Sequence, residues 1–82
     1  MHHVYIIRSI NSPDKTYIGY TKNLKQRLLE HNNGASFHTA KYKPWELIIV
    51  ISFSTEFNAH SFEQYLKSGN GRAFIAKRLL QK

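Results

Sequence analysis

The segments Val4-Tyr5-Ile6 and Tyr17-Ile18-Gly19-Tyr20 decide how the chain begins to fold. Both are rich in the β-branched and aromatic residues that favour strands. The turn-forming residues Asn11-Ser12-Pro13-Asp14 lie between them. We therefore predict a β-hairpin whose strands cover residues 4–9 and 16–21.

Side chains in these two strands alternate between the faces of the sheet. Tyr5 accordingly points away from Val4 and Ile6. On the second strand, Tyr17 shares a face with Gly19. Glycine is unfavourable inside a strand, so Gly19 indicates that another group, such as a ligand, comes close to the backbone there. The alternative is that both tyrosines are ordinary half-buried strand residues.

The middle of the chain predicts a helix, a loop and a third strand. Asn23 and Gln26 have the spacing of a capping box, and Asn32-Asn33-Gly34 ends the helix that they begin. Residues 35–44 are polar and aperiodic, which predicts a loop. Residues 45–53 contain a continuous apolar run, which is typical of a strand buried on both faces.

Two further helices are predicted towards the end of the chain. Thr55 can cap a helix that runs to about Ser68, where Gly69-Asn70-Gly71 breaks it, and a last helix follows over residues 72–80. The order β-β-α-β-α-α predicts a three-stranded, mainly antiparallel sheet flanked by helices, an α/β fold of the α+β type. Because the chain is short and contains no linker, we predict a single domain over residues 1–82.

The composition indicates an anionic partner. The chain has 12 Lys and Arg residues and 5 acidic residues, a formal net charge of +7, and clustered basic side chains bind nucleic acid phosphates. An ordinary basic domain is the alternative. The chain has no cysteine, which excludes disulfides and a cysteine nucleophile. No apolar run is long enough for a membrane helix and no signal-peptide core is present, so we expect a cytoplasmic protein without membrane association.

Two residues of the first predicted helix lie at the border of its apolar stripe. A rotation of about 100° per residue places Arg27 and His31 beside Leu24 and Leu28. An arginine at the edge of a core needs an anion, and a phosphate matches the planar guanidinium. The alternative for Arg27 is a structural ion pair with a glutamate. The alternative for His31 is a hydrogen-bonded position between packed elements.

Glu63 borders the apolar stripe that Ala59, Phe62 and Leu66 form on the next long helix. A carboxylate in this position can hold one Mg²⁺ or Mn²⁺ that keeps most of its water ligands. A solvated glutamate at the edge of a helix is the alternative. His60 lies further from the core, and the histidine spacings do not fit a zinc site.

An ordered set of residues resembles the GIY-YIG nuclease pattern over nearly the whole chain: Val4-Tyr5, Tyr17-Ile18-Gly19, Arg27, His31 and Glu63. This family includes the nuclease domains of the excision-repair incision subunit and of homing endonucleases. Residues 17–21 and 62–69 are most similar to its short standalone bacterial members. Two positions differ from the pattern, because His3-Val4 replaces Gly-Ile and Tyr20 replaces the lysine of the excision-repair members.

The resemblance implies a GIY-YIG fold and a catalytic role for each matching residue. Tyr17 would deprotonate or orient the attacking water, with Tyr5 in the same hydrogen-bond network. Arg27 would contact the scissile phosphate, His31 would assist proton movement, and Glu63 would hold the single divalent metal, Mg²⁺ or Mn²⁺. A tyrosine in water has a pKa of about 10, so His31 is an alternative general base, and the sequence leaves both open.

We therefore predict a metal-dependent endonuclease, a hydrolase of phosphodiester bonds in DNA. Phosphate contacts carry no sequence information, so we expect low sequence specificity, a preference for particular DNA structures and a link to repair or recombination. RNA is the alternative substrate, and a non-catalytic nucleic-acid-binding module or a protein-interaction domain are the alternative functions. The residues predicted to bind nucleic acid are Lys22, Lys25, Lys41, Lys43, Lys67 and Arg72, with Tyr42 and Trp45 touching sugars or bases.

Overall fold

A three-stranded sheet forms the centre of the computed structural model, which describes residues 1–80. Strand β1 (His2–Ser9) pairs antiparallel with β2 (Thr16–Thr21) on one side and with β3 (Trp45–Phe53) on the other. The sheet order β2-β1-β3 confirms the predicted antiparallel sheet and the α+β class. That residues 1–82 form one domain stays a prediction, and its last two residues lie outside the described part.

The register of the β1–β2 hairpin places the predicted residues on one face. Tyr5 lies opposite Gly19, and Ile7 lies opposite Tyr17. Because partners in an antiparallel pair point to the same side, all four side-chain positions face the same way. The predicted alternation along both strands is therefore confirmed.

Strand β3 lies at an edge of the sheet, so the prediction that it is buried on both faces is wrong. Leu47 and Val50 are 37% and 39% exposed, whereas Ile6 and Ile7 in β1 are 1% and 0% exposed. The central strand has a neighbour on each side and helices over both faces. Burial thus follows the position of a strand in the sheet, which the apolar content of one segment does not report.

The helical segments described among residues 1–80 are α1 (Leu24–Asn32), α2 (Phe37–Ala40), α3 (Glu56–Lys67), α4 (Gly69–Phe74) and a terminal π-helix (Ile75–Leu79). The caps of α1 and α3 are the predicted ones. The Asn23 side chain accepts from the Gln26 backbone N–H at 3.2 Å, and Thr55 accepts from that of Asn58 at 3.3 Å. Beyond the end of α1, Gly34 has a φ of 83°, which glycine adopts without strain.

Three helical predictions are wrong. Residues 35–44 are not all loop, because α2 forms within them. The break before the last helix occurs at Ser68, whose backbone is extended and whose Oγ accepts from the Gly71 N–H at 3.1 Å, so the glycines belong to α4. The chain beyond residue 74 is a π-helix rather than an α-helix. There the Leu80 N–H donates to the Ile75 carbonyl at 2.8 Å.

Each face of the sheet has its own apolar cluster, because side chains alternate along β1. Val4 and Ile6 face α3 and cluster with Leu66. Tyr5 and Ile7 face α1 on the opposite side. The site residues on α1 and on α3 therefore approach the sheet from different faces. Within the described residues no helix combines the length and apolar character needed to cross a bilayer.

Candidate active site

The phenol of Tyr5 lies directly over Gly19 on the neighbouring strand. A Cβ atom at Gly19 would overlap the hydroxyl and the ring of Tyr5. Since Tyr5 is only 1% exposed, it has no free space into which it could move. The predicted close approach at Gly19 is confirmed, and the group that approaches is a tyrosine of the same chain.

His31 lies wholly inside the protein, in the last turn of α1. The Tyr5 hydroxyl is 2.8 Å from His31 Nε2, and Thr39 Oγ1 is 2.7 Å from His31 Nδ1. Thr39 Oγ1 in turn donates to the Ser36 carbonyl at 3.4 Å. Both ring nitrogens therefore have hydrogen-bond partners within the chain, as the structural alternative for this residue requires.

The threonine hydroxyl determines which nitrogen of His31 carries the proton. Because Thr39 donates to a carbonyl, its oxygen accepts from Nδ1–H, and we assign Nε2 as the acceptor for the Tyr5 hydroxyl on this ground. Burial lowers the pKa of His31, and the positive charge of Arg27 lowers it further. His31 is thus a neutral ring that accepts a hydrogen bond from a phenol.

Arg27 connects this buried pair to the surface. Its Nη1 donates to Glu30 Oε1 at 2.8 Å, an interaction that raises the pKa of Arg27 and lowers the pKa of Glu30. The guanidinium also lies beside Tyr5, where burial raises the pKa of the phenol and Arg27 opposes that increase. The ion pair weighed for Arg27 is present, but a guanidinium has five N–H donors and 32% of this side chain is exposed. Its other donors can therefore contact a phosphate.

Tyr17 stands edge-on to His31. The two ring centroids are 5.3 Å apart and the ring planes meet at 60°. Tyr17 is only partly buried, in contrast to Tyr5. Four of the five predicted catalytic residues, Tyr5, Tyr17, Arg27 and His31, are thus brought together between β1, β2 and α1.

Glu63 stands apart from these four residues, on α3. Its Oε2 accepts from Lys67 Nζ at 3.0 Å, and its Oε1 lies 3.5 Å from His60 Nδ1. Burial is the main cause of the raised pKa of Tyr5 and of the raised pKa of Tyr20, and the charge of Glu63 adds to both. Glu63 therefore lies within electrostatic range of Tyr5 and Tyr20, and it is hydrogen-bonded to neither of them.

The surroundings of Glu63 fit a hydrated hard cation better than a closed metal site. Among residues 1–80, no group of three or more His, Cys, Asp or Glu side chains could hold a metal ion. A closed tetrahedral site for zinc is therefore not formed by this part of the chain. A cation that keeps most of its waters needs only one or two carboxylates, and Glu63, with 16% of its side chain exposed, supplies one.

Two residues that organise the site were not predicted. Thr39 holds His31 Nδ1 from α2. Asn32 binds the backbone of Trp45 twice, since the Trp45 N–H donates to Asn32 Oδ1 at 2.5 Å and Asn32 Nδ2 donates to the Trp45 carbonyl at 3.1 Å. This pair holds the end of α1 against β3. The sequence contains a local indication for Asn32, because this residue ends a predicted helix. It contains none for Thr39, which lies in an aperiodic segment.

The six basic residues predicted to bind nucleic acid are all exposed. Lys67 and Arg72 line a cavity that also contains Tyr17. Lys41 Nζ lies 5.5 Å from the centre of the Tyr42 ring, a cation–π contact. Their exposure is compatible with phosphate contacts, and their role stays a prediction.

Trp45 is not available to sugars or bases, so that prediction is wrong. Only 5% of its surface is exposed. Its indole N–H donates to the Thr39 carbonyl at 2.8 Å, within the protein. An aromatic ring whose polar atom is hydrogen-bonded packs stably in a core, and Trp45 is therefore a core residue and not a surface contact for nucleic acid.

The structure combines a small antiparallel sheet and two phenols on its hairpin with an arginine and a histidine on α1 and a glutamate on α3. This arrangement defines a domain of the GIY-YIG class. The sequence profile of that family, described as the GIY-YIG catalytic domain, matches residues 1–77. The chain therefore belongs to the GIY-YIG catalytic domain family.

Curated relatives carry the same region within longer chains. The structure-specific endonuclease subunit SLX1 of Debaryomyces hansenii is 39% identical over 71 residues, which is 78% of this chain and 20% of that protein. The SLX1 homologue of Giardia intestinalis is 36% identical over 62 residues, 71% of this chain and 17% of that protein. The chain thus spans about a fifth of the length of these relatives. A particular likeness to short bacterial members stays a prediction.

Proposed function

We propose that this chain is a metal-dependent endonuclease domain that hydrolyses phosphodiester bonds in DNA. The observation that carries the proposal is the convergence of Tyr5, Tyr17, Arg27 and His31 in a member of the GIY-YIG catalytic domain family. The relatives are named as structure-specific endonuclease subunits, which supports a preference for particular DNA structures. Low sequence specificity, a role in repair or recombination and a cytoplasmic location belong to the same proposal.

The burial of His31 supports Tyr17 as the residue that meets the attacking water. His31 is 0% exposed and both of its nitrogens are engaged, so it cannot touch a water molecule in the site. Tyr17 is partly exposed and stands next to it. In this proposal Tyr17 acts as a phenolate that orients the water, takes its proton and becomes a phenol, while His31 hydrogen-bonds to Tyr5 and holds it in place.

Arg27 and Glu63 supply the charges that the reaction needs. The free N–H donors of Arg27 stabilise the negative charge that develops on the phosphate oxygens. Glu63 would hold the divalent cation, Mg²⁺ or Mn²⁺, whose chemistry is to stabilise charge on the phosphate and on the leaving oxygen. Lys67 already neutralises the carboxylate at 3.0 Å, so the ammonium must give way or share the oxygen when a cation binds.

The proposal is tested with plasmid, nicked and flapped DNA in Mg²⁺ or Mn²⁺, with EDTA as the control. Matched variants on the same helix separate the role of Glu63 from a general loss of charge, since Glu63→Gln and the exposed Glu56→Gln each remove one carboxylate from α3. We expect Glu63→Gln to abolish cleavage and Glu56→Gln to keep it.

The same assay tests the tyrosine. Tyr17→Phe removes one hydroxyl from the site, and we expect cleavage to fall by about 10²–10⁴-fold, as for the loss of a general base. Tyr65→Phe removes the hydroxyl of a residue on α3 that is 43% exposed, and it should leave the rate unchanged. DNA binding without metal-dependent cleavage in the wild type would instead support the non-catalytic module, and full activity of Tyr17→Phe would reject Tyr17 as the base.

A further inference from the structure

An open cavity of about 830 Å³ lies beside Tyr17, between the β1–β2 hairpin and the helices at the end of the described chain. Its volume is within the range of ~300–1,000 Å³ that pockets for small ligands occupy. Apart from Tyr17, none of the five proposed catalytic residues lines it. The cavity therefore has space for part of a substrate outside the reacting bond.

The residues that line the cavity are partly apolar and partly charged. Ile18, Ile75 and Leu80 are apolar and only partly exposed, and we call them the floor; we call the charged lining residues the rim. Apolar surface of this kind favours the face of a flat, weakly polar group such as a nucleobase.

The charges at the rim are three cations and one carboxylate. Lys15 lies 3.8 Å from the carboxylate of Asp14, and Lys67 bonds to Glu63. Within residues 1–80, Arg72 has no carboxylate within salt-bridge distance. Arg72 thus offers an exposed guanidinium, the group that matches a phosphate.

The tight packing of α4 on α3 places Arg72 at the rim. A Cβ atom at Gly71 would overlap the backbone of Tyr65 and Leu66, so only glycine lets the two helices come this close. Arg72 follows directly in the chain, and the π-helix continues along the floor with Ile75. The cavity is therefore a product of the way in which the last helices fold back on the hairpin.

We propose that this cavity binds one unpaired nucleotide next to the scissile phosphate, with the base on the apolar floor and the phosphate on Arg72. The inference rests on the proposed function and names the substrate feature that the site selects. Continuity with the active site supports it, because Tyr17 lines the cavity and Lys67 both lines it and bonds to Glu63. A nucleotide inside a duplex must lose its stacking and its pairing before it can enter, whereas an unpaired one can turn outwards at a smaller cost. Preference for a DNA structure then needs no reading of base sequence.

The test fills the cavity and leaves the catalytic residues untouched. Ala76 lines the cavity, whereas Ala73, another exposed alanine one turn earlier, does not. Ala76→Trp and Ala73→Trp are therefore matched variants. Each is titrated in EDTA against a labelled duplex and against the same duplex with a single-nucleotide 2-aminopurine bulge, by fluorescence anisotropy and by 2-aminopurine emission.

We expect the wild type and Ala73→Trp to bind the bulged DNA at least about fivefold more tightly than the duplex, a ratio in the range that stabilisation of one extruded base gives. Ala76→Trp should bind both equally and leave the 2-aminopurine emission unchanged. Equal wild-type affinities, a preference retained by Ala76→Trp or a preference lost in Ala73→Trp would each overturn the proposal. Because binding is measured without metal, a wild type that shows the preference but cleaves no DNA with Mg²⁺ or Mn²⁺ would reject the proposed function and not the nucleotide site.

Discussion

The stability of the folded protein depends on pH through His31, which is neutral in the folded state. Burial lowers its pKa from the ordinary 6.5, and Arg27 acts in the same direction while Glu30 opposes. Between the lowered pKa and about 6.5, the unfolded chain binds more protons than the folded chain. The contribution of His31 to the free energy of unfolding is therefore complete above about pH 6.5, and it decreases as the pH drops below that value.

The prediction is that His31→Gln flattens the dependence of the free energy of unfolding on pH between 7.5 and 5. One proton of difference between the unfolded and folded states gives a slope of at most about 1.4 kcal/mol per pH unit. Urea denaturation at several pH values in this range measures the slope. The exposed His38→Gln is the matched control and should keep the wild-type slope. An unchanged slope in His31→Gln would show that His31 is not held neutral.

The short helix α2 has a structural role at the scale of the element, because it presents Thr39 to His31. Thr39 is 0% exposed, and its hydroxyl is the partner of His31 Nδ1 at 2.7 Å. Thr39→Val keeps the shape of the side chain but leaves a buried N–H without an acceptor. We predict a loss of about 1–3 kcal/mol in the free energy of unfolding, the usual cost of an unsatisfied buried donor.

Thr39→Ser is the control for this effect. It keeps the hydroxyl and loses one methyl group, so its cost should be smaller than that of Thr39→Val, although the valine fills the site better. Chemical denaturation of both variants measures the order. If the valine variant is the more stable of the two, the hydrogen bond from α2 does not hold the histidine.

Elements could be predicted from the sequence where their signals are local. Asn23 and Thr55 cap α1 and α3 as expected, because a cap depends on residues three positions apart. The edge position of β3 could not be predicted, since it depends on which strands pair across the whole sheet. The start of α4 depended on Ser68 accepting from the Gly71 N–H, a contact that outweighed the tendency of the glycines to break a helix.

At the scale of the whole molecule, the site was predictable only to the extent that it repeats a known order of residues. The resemblance named Tyr5, Tyr17, Arg27 and His31, and the fold brings these four together. The role of Thr39 could not be predicted, because nothing in its own segment indicates that it contacts a residue on another helix. The cavity beside Tyr17 could not be predicted either, because it forms between segments that are distant along the chain.

The net charge of +7 predicts how binding should depend on salt, and two arginines allow a matched test. Each phosphate contacted by a cation in duplex DNA contributes about 0.9 to the slope of log K against log salt concentration. Arg72 is exposed at the cavity rim, whereas Arg8 Nη2 already lies 3.4 Å from Glu46 Oε1. We predict that Arg72→Gln lowers the magnitude of the slope by about 0.9, because one phosphate contact is lost, and that Arg8→Gln leaves it unchanged. Anisotropy titrations in EDTA between low and physiological salt measure both slopes. Equal slopes for the two variants would mean that DNA binding depends on the overall charge of the protein. The face that carries Arg72 would then not be the DNA-binding face.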